Sequence, residues 1–104
     1  MSERVKTIHI GKKDIYEWTM DEGKSILMPL LLESCKKIID QQKEKLRAVR
    51  IEAEIRGKQQ AFDFWVNLDE VDSTLNKILD WALVEEEYLM CQEITELKNK
   101  LELF

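Results

Sequence analysis

Ala48-Val49-Arg50-Ile51-Glu52-Ala53-Glu54-Ile55-Arg56 is the stretch on which the fold turns. Val49, Ile51, Ala53 and Ile55 alternate with Arg50, Glu52, Glu54 and Arg56, and a period of two describes a strand with one wet face. Gly57-Lys58 then offers a turn. Gln59 to Val66 resumes the pattern, with Phe62, Phe64 and Val66 set against Ala61, Asp63 and Trp65, so the segment is expected to be a β-hairpin. A competing pattern runs through Leu32, Cys35, Ile39, Gln42, Leu46, Val49 and Ala53 at three-four spacing. It would make the chain all-α, with long helices in a bundle or coiled coil. Ile51 and Ile55 fall off that seam, whereas the hairpin uses both, so the fold class is read as α+β.

Upstream, Val5 to Ile10 is β-prone and Gly11-Lys12-Lys13 can turn. Ile15 to Met20 could return as a strand with Tyr16, Trp18 and Met20 on one face. Equally, Asp14 and Glu17 could form the capping box of a short helix. Asp21 to Ser25 punctuates the chain. Ser25 is then expected to cap a helix running to about Lys45, with Pro29 in its first turn and Leu27, Leu31, Cys35, Ile38, Ile39 and either Gln42 or Leu46 on the buried face. The expected order is ββαββα in a single domain, residues 1–104.

Downstream, Leu68 to Phe104 contains neither Gly nor Pro and reads as one long helix over about 68–103, which would extend roughly 55 Å. Its apolar stripe changes face partway. Val71, Leu75, Ile78 and Ala82 form one register, continuing to Leu89. Met90, Ile94, Leu97, Leu101 and Phe104 form a second, displaced by one residue, with Glu85, Glu86 and Glu87 at the handover. The proximal half is expected to pack on the core. Residues 88–104 would protrude and pair with a second copy as a coiled-coil seam, making Met90, Ile94, Leu97, Leu101 and Phe104 the dimer or partner interface. The alternative is a break near Glu87 and an intramolecular helical hairpin, for which no Gly or Pro provides a marker.

The 104 residues are 44% hydrophobic and 36% charged, enough apolar material for one small core. Charge is asymmetric: residues 1–67 hold 13 Lys and Arg against 11 Asp and Glu, while residues 68–104 hold 3 against 10. Glu85, Glu86 and Glu87 therefore suggest an acidic face for a partner with a basic surface or an apolar groove. Cys35 and Cys91 lack CxxC spacing and read as buried free thiols, in keeping with a cytoplasmic location. The opening Met-Ser-Glu-Arg-Val-Lys does not read as a secretory leader. The longest apolar run, Ile26 to Leu32, is far short of the ~20 residues that cross a bilayer.

Chemistry-bearing motifs are sparse. His9 is the single histidine and has no evident catalytic partner. Gly23-Lys24-Ser25 resembles the end of a phosphate-binding loop, but Trp18 stands where that motif requires Gly. Asp69, Glu70 and Asp72 suit a helix start without any metal. Arg47, Arg50, Arg56 and Lys58 with Phe62, Phe64 and Trp65 suggest a surface for stacking single strands, but Glu52, Glu54 and Asp63 interleave and offset it. Nucleic acid is therefore not the expected partner, and no catalytic residue, cofactor or metal is expected.

Lys100-Leu101-Glu102-Leu103-Phe104 resembles the Gln-Leu-Ser/Asp-Leu-Phe pentapeptide by which bacterial polymerases and repair proteins dock on the sliding clamp. Lys100 stands in place of the Gln. Over these five residues the resemblance implies a clamp contact through Leu101, Leu103 and Phe104. The overall expectation is a non-enzymatic protein-protein interaction factor, a homodimeric adaptor or an inhibitor of host machinery of the kind encoded by phages and mobile elements. A structural, tail-chaperone-like assembly subunit is the alternative. Small-ligand binding, with a pocket near Trp18 and Trp65, and nucleic-acid association are further ones.

Overall fold

The computed structural model describes residues 6–103. The fold is α+β: a three-stranded sheet in the order β1-β2-β3, with helices packed on one face. Strand β1 spans Lys6–Gly11, β2 Lys45–Ile55 and β3 Lys58–Asn67. Helices α1 and α2 span Ile15–Met20 and Glu22–Gln41, and α3 and α4 span Val71–Val84 and Tyr88–Leu101. Val5 and Phe104 lie outside the described residues.

The central hairpin is as expected. Strands β2 and β3 pair antiparallel from Lys45↔Asn67 to Ile55↔Lys58. The turn is one residue earlier than Gly57-Lys58: Arg56 and Gly57 form it, both with positive φ (54° and 77°). That is the backbone a two-residue loop needs to match strand twist. An extra residue in β2, Ala48, shifts the register between Arg47 and Val49 and switches the inward parity. Leu46 and Ala48 face the core before it, and Val49, Ile51 and Ala53 after it.

The first hairpin does not form. β1 pairs parallel with β2, from Lys6↔Val49 to His9↔Glu52, and Ile15–Met20 is a helix. The Asp14 carboxylate accepts the Glu17 amide at 3.0 Å, satisfying a donor that would otherwise be orphaned at the helix start. Trp18 on α1 is buried against Gly23. Helix α2 begins at Glu22 and not at Ser25, so Pro29 is internal. Its missing N–H frees the Ser25 carbonyl, and both residues lie on the exposed side. The buried face is Leu27, Met28, Leu32, Cys35, Ile38 and Ile39, with Leu31 half-buried. Gln42, with φ of 53°, ends the helix.

The continuous helix over 68–103 is also corrected. A 3-10 turn at Leu68–Glu70 leads into α3, and the chain breaks at Glu85–Glu87. Glu86 adopts φ of 58°. The Glu87 amide donates to the Ala82 carbonyl at 2.8 Å and the Glu86 amide to the Leu83 carbonyl at 3.2 Å. This is a Schellman termination with Glu in the position usually held by Gly. Helix α4 folds back along α3 and over α2, so residues 88–103 do not protrude. The described residues span 49 × 35 × 20 Å, shorter than the single helix would have been.

Candidate functional site

The stripe expected to pair between copies lies inside the chain's own core. Ile94 is 0% exposed and sits with Val71, Leu75, Ile78 and Ala82 of α3 and with Cys35, Ile38 and Ile39 of α2. Met90, Leu97 and Leu101 are half-buried against the same core, and Phe104 lies outside the described residues. The one-residue offset between the two apolar registers marks a turn, after which each helix turns its own stripe inward. Ion pairs close the seam. Lys36 on α2 reaches Glu93 at 2.8 Å, and this bond raises the Lys36 pKa above its usual value. Lys100 pairs with Asp40, and Lys98 reaches Asn76 and Asp72 on α3. Met90, Ile94, Leu97 and Leu101 therefore do not form a free dimer face.

Among the large apolar side chains that the fold leaves exposed, four lie at the tip of the α3–α4 hairpin. Leu83, Val84, Tyr88 and Leu89 are all exposed, Leu89 to 81%, and they flank the exposed Glu85, Glu86 and Glu87. Leu89, expected to continue the proximal stripe, falls beyond the break. Beside the tip an open groove runs between α2 and the start of α4. Pro29, Leu32, Leu89 and Met90 supply its apolar lining, with Glu33, Glu87 and the Lys36–Glu93 pair among its polar groups. The sequence reading found the three carboxylates and missed the apolar side chains around them. Their signal was that Leu83, Val84 and Tyr88 belong to neither buried register.

The sheet's outer face presents a second polar cluster. The Asp63 carboxylate on β3 accepts from Arg50 Nε at 2.8 Å and from Arg47 Nη1 at 3.4 Å. The Arg50 hydrogen bond holds the Asp63 pKa below the usual carboxylate value. Trp65 lies under Lys45 and Arg47, 5.2 and 5.8 Å from ring centroid to cation. Phe62 and Phe64 pack instead with the helix-side core, so the single-strand stacking platform is not assembled, and Arg50 is occupied by Asp63.

His9 is exposed, with Nδ1 3.1 Å from Glu52. Gly23-Lys24-Ser25 lies within α2, where Gly23 serves close packing against Trp18. Both cysteines are free, Cys35 buried and Cys91 half-buried, and burial pushes the Cys35 thiol up to about 12. Among the described residues no group of three or more His, Cys, Asp or Glu is arranged to hold a metal, and no helix is long and apolar enough to cross a membrane. In the clamp-like segment, Leu101 packs on the core while Leu103 is exposed. No protein-family model, curated protein or solved structure matches the chain.

Proposed function

We propose that the chain is a non-enzymatic protein-interaction factor, an adaptor or inhibitor, that engages a basic partner protein through the tip of the α3–α4 hairpin. The observation that carries this reading is the exposure of Leu83, Val84, Tyr88 and Leu89 around three adjacent carboxylates. Apolar side chains supply binding energy when a partner covers them, at roughly 1.5–3 kcal/mol for each one fully buried. The carboxylates select a partner of opposite charge and accelerate encounter. They also disfavour a second copy at this place, because an isologous contact would set Glu85–Glu87 against their own counterparts.

The test is affinity capture with the intact chain, followed by binding kinetics on the captured protein. Leu89→Ser with Val84→Ser should abolish capture, while replacing Glu85, Glu86 and Glu87 by Gln should slow association more than it speeds dissociation. Rising salt should weaken binding, since exposed charges are screened over about 8 Å at physiological ionic strength. Capture that survives both variants, with each verified as folded by circular dichroism, would place the binding surface elsewhere.

A further inference from the structure

We propose that the outer edge of β3 pairs antiparallel with the same edge of a second copy, joining two three-stranded sheets into one of six strands. Strand β3 is ten residues long and lies at the sheet's edge, with no described element hydrogen-bonded along its outer side. A free edge exposes a row of backbone donors and acceptors, and proteins ordinarily blunt it with Pro, bulges, short length or inward-pointing charge. Strand β3 contains no Pro and no Gly, and the extra residue of the hairpin is carried by β2. Its two charged residues are Lys58 at its start and Asp63, and Asp63 faces outward, already bonded to Arg50. On the helix side Phe62 and Phe64 are only half-buried, leaving an aromatic rim beside the open edge.

The opposite edge is managed. Strand β1 has six residues, and a register shift between His9 and Gly11 interrupts its ladder. The contrast identifies the occupant of β3 as a second copy. Among the described residues, pairing β3 with β3 consumes the unblunted edge of each copy and leaves the interrupted β1 edges outermost, so assembly closes at two. Between Gln59 and Asn67 the edge's one charge is Asp63, already held by Arg50, so little is left there to select a foreign charged peptide.

The register follows from geometry. Antiparallel neighbours share a face, so a two-fold axis perpendicular to the sheet must pass through a residue pair and not between pairs. An axis at Asp63 would oppose two carboxylates. An axis at Phe62 sets the two Phe62 rings side by side, Asp63 opposite Ala61, Gln60 opposite Phe64, and Lys58 opposite Val66. Every pair is then free of like charges, and aromatic cross-strand pairs of this kind are favourable.

Sedimentation of the intact chain tests this independently of the hairpin tip. At tens of micromolar the protein should sediment at twice the 12.4 kDa chain mass, and outward amides of β3 should exchange more slowly as concentration rises. Phe62→Lys sets two cations face to face, and Ala61→Asp, at an exposed position, meets Asp63 of the other copy. Each should weaken the dimer by about tenfold or more, with circular dichroism showing whether the fold is kept; Ala61→Asp carries the test if Phe62→Lys does not fold. Leu89→Ser should leave the dimer intact. The proposal is overturned by a monomer at every concentration, by a dimer that survives Ala61→Asp while the outer β3 amides exchange freely, or by loss of the dimer in Leu89→Ser.

Discussion

Asp63 collects two arginines that a strict strand alternation would send to opposite faces. Arg47 and Arg50 are three residues apart, and only the extra residue at Ala48 brings both to the outer side of β2. Because Arg50 lowers the Asp63 pKa in the folded chain, the carboxylate contributes stability above its unfolded value of about 3.9. That contribution is lost as pH falls through the folded pKa. Asp63→Asn should therefore be less stable than the parent near neutrality, with the gap in denaturation midpoint closing as the solution is acidified. Gly23 is constrained by contact. A Cβ there would lie 2.6 Å from Trp18 Cε3 and 2.8 Å from the Trp18 carbonyl oxygen, closer than carbon atoms pack. Gly23→Ala should destabilise despite the better helix propensity of Ala, by an overpacking cost of about 1–3 kcal/mol, measurable by urea unfolding followed through tryptophan fluorescence.

Among elements, the α3–α4 turn sets the architecture of the C-terminal third. The chain reverses here through a residue with positive φ, and Glu86 fills that position at a cost of roughly 1–2 kcal/mol for a residue with a Cβ. The backbone bonds from Glu86 to Leu83 and from Glu87 to Ala82 offset that strain by satisfying carbonyls at the end of α3. The carboxylates are unfavourable at the C-terminal end of α3 and favourable at the N-terminal end of α4, so the helix dipoles largely cancel in deciding their placement. Glu86→Gly should raise the unfolding free energy, by up to about 1 kcal/mol once the extra freedom of Gly in the unfolded chain is counted. Glu86→Val should lower it, since a β-branched residue tolerates the left-handed region poorly. Thermal unfolding of the three proteins would order them Gly, Glu, Val. A single unbroken helix would give the reverse position to Gly, because Gly disfavours helix interiors.

At the scale of the whole molecule, α4 is a structural member and not an appendage. Ile94 is completely buried, and truncating such a side chain to Ala costs about 2–5 kcal/mol, a large share of the 5–15 kcal/mol that holds a domain folded. Ile94→Asp, which buries an unpaired charge as well, should unfold the chain at room temperature, whereas Leu89→Asp, five residues earlier and on the surface, should leave the unfolding midpoint within measurement error. Circular dichroism of the two variants separates an integrated helix from a protruding one. The amino-acid sequence by itself determined whatever depends on local period and composition: the β2–β3 hairpin from the alternation at Val49–Ile55, the inward stripe Val71, Leu75, Ile78 and Ala82, the two free thiols, and the acidic residues at 85–87. Three matters were decided only by tertiary structure. The parallel pairing of β1 with β2 joins residues some forty positions apart and leaves no local mark, while the Asp14 cap decides locally for the α1 helix. The reversal at Glu86 occurs without Gly or Pro because burying Ile94, Met90, Leu97 and Leu101 against α2 and α3 outweighs the strain of one residue. The exposed ring of Leu83, Val84, Tyr88 and Leu89 becomes visible only once that reversal has turned the second stripe inward, since which apolar side chains remain uncovered is a property of the packed whole and not of any window along the chain.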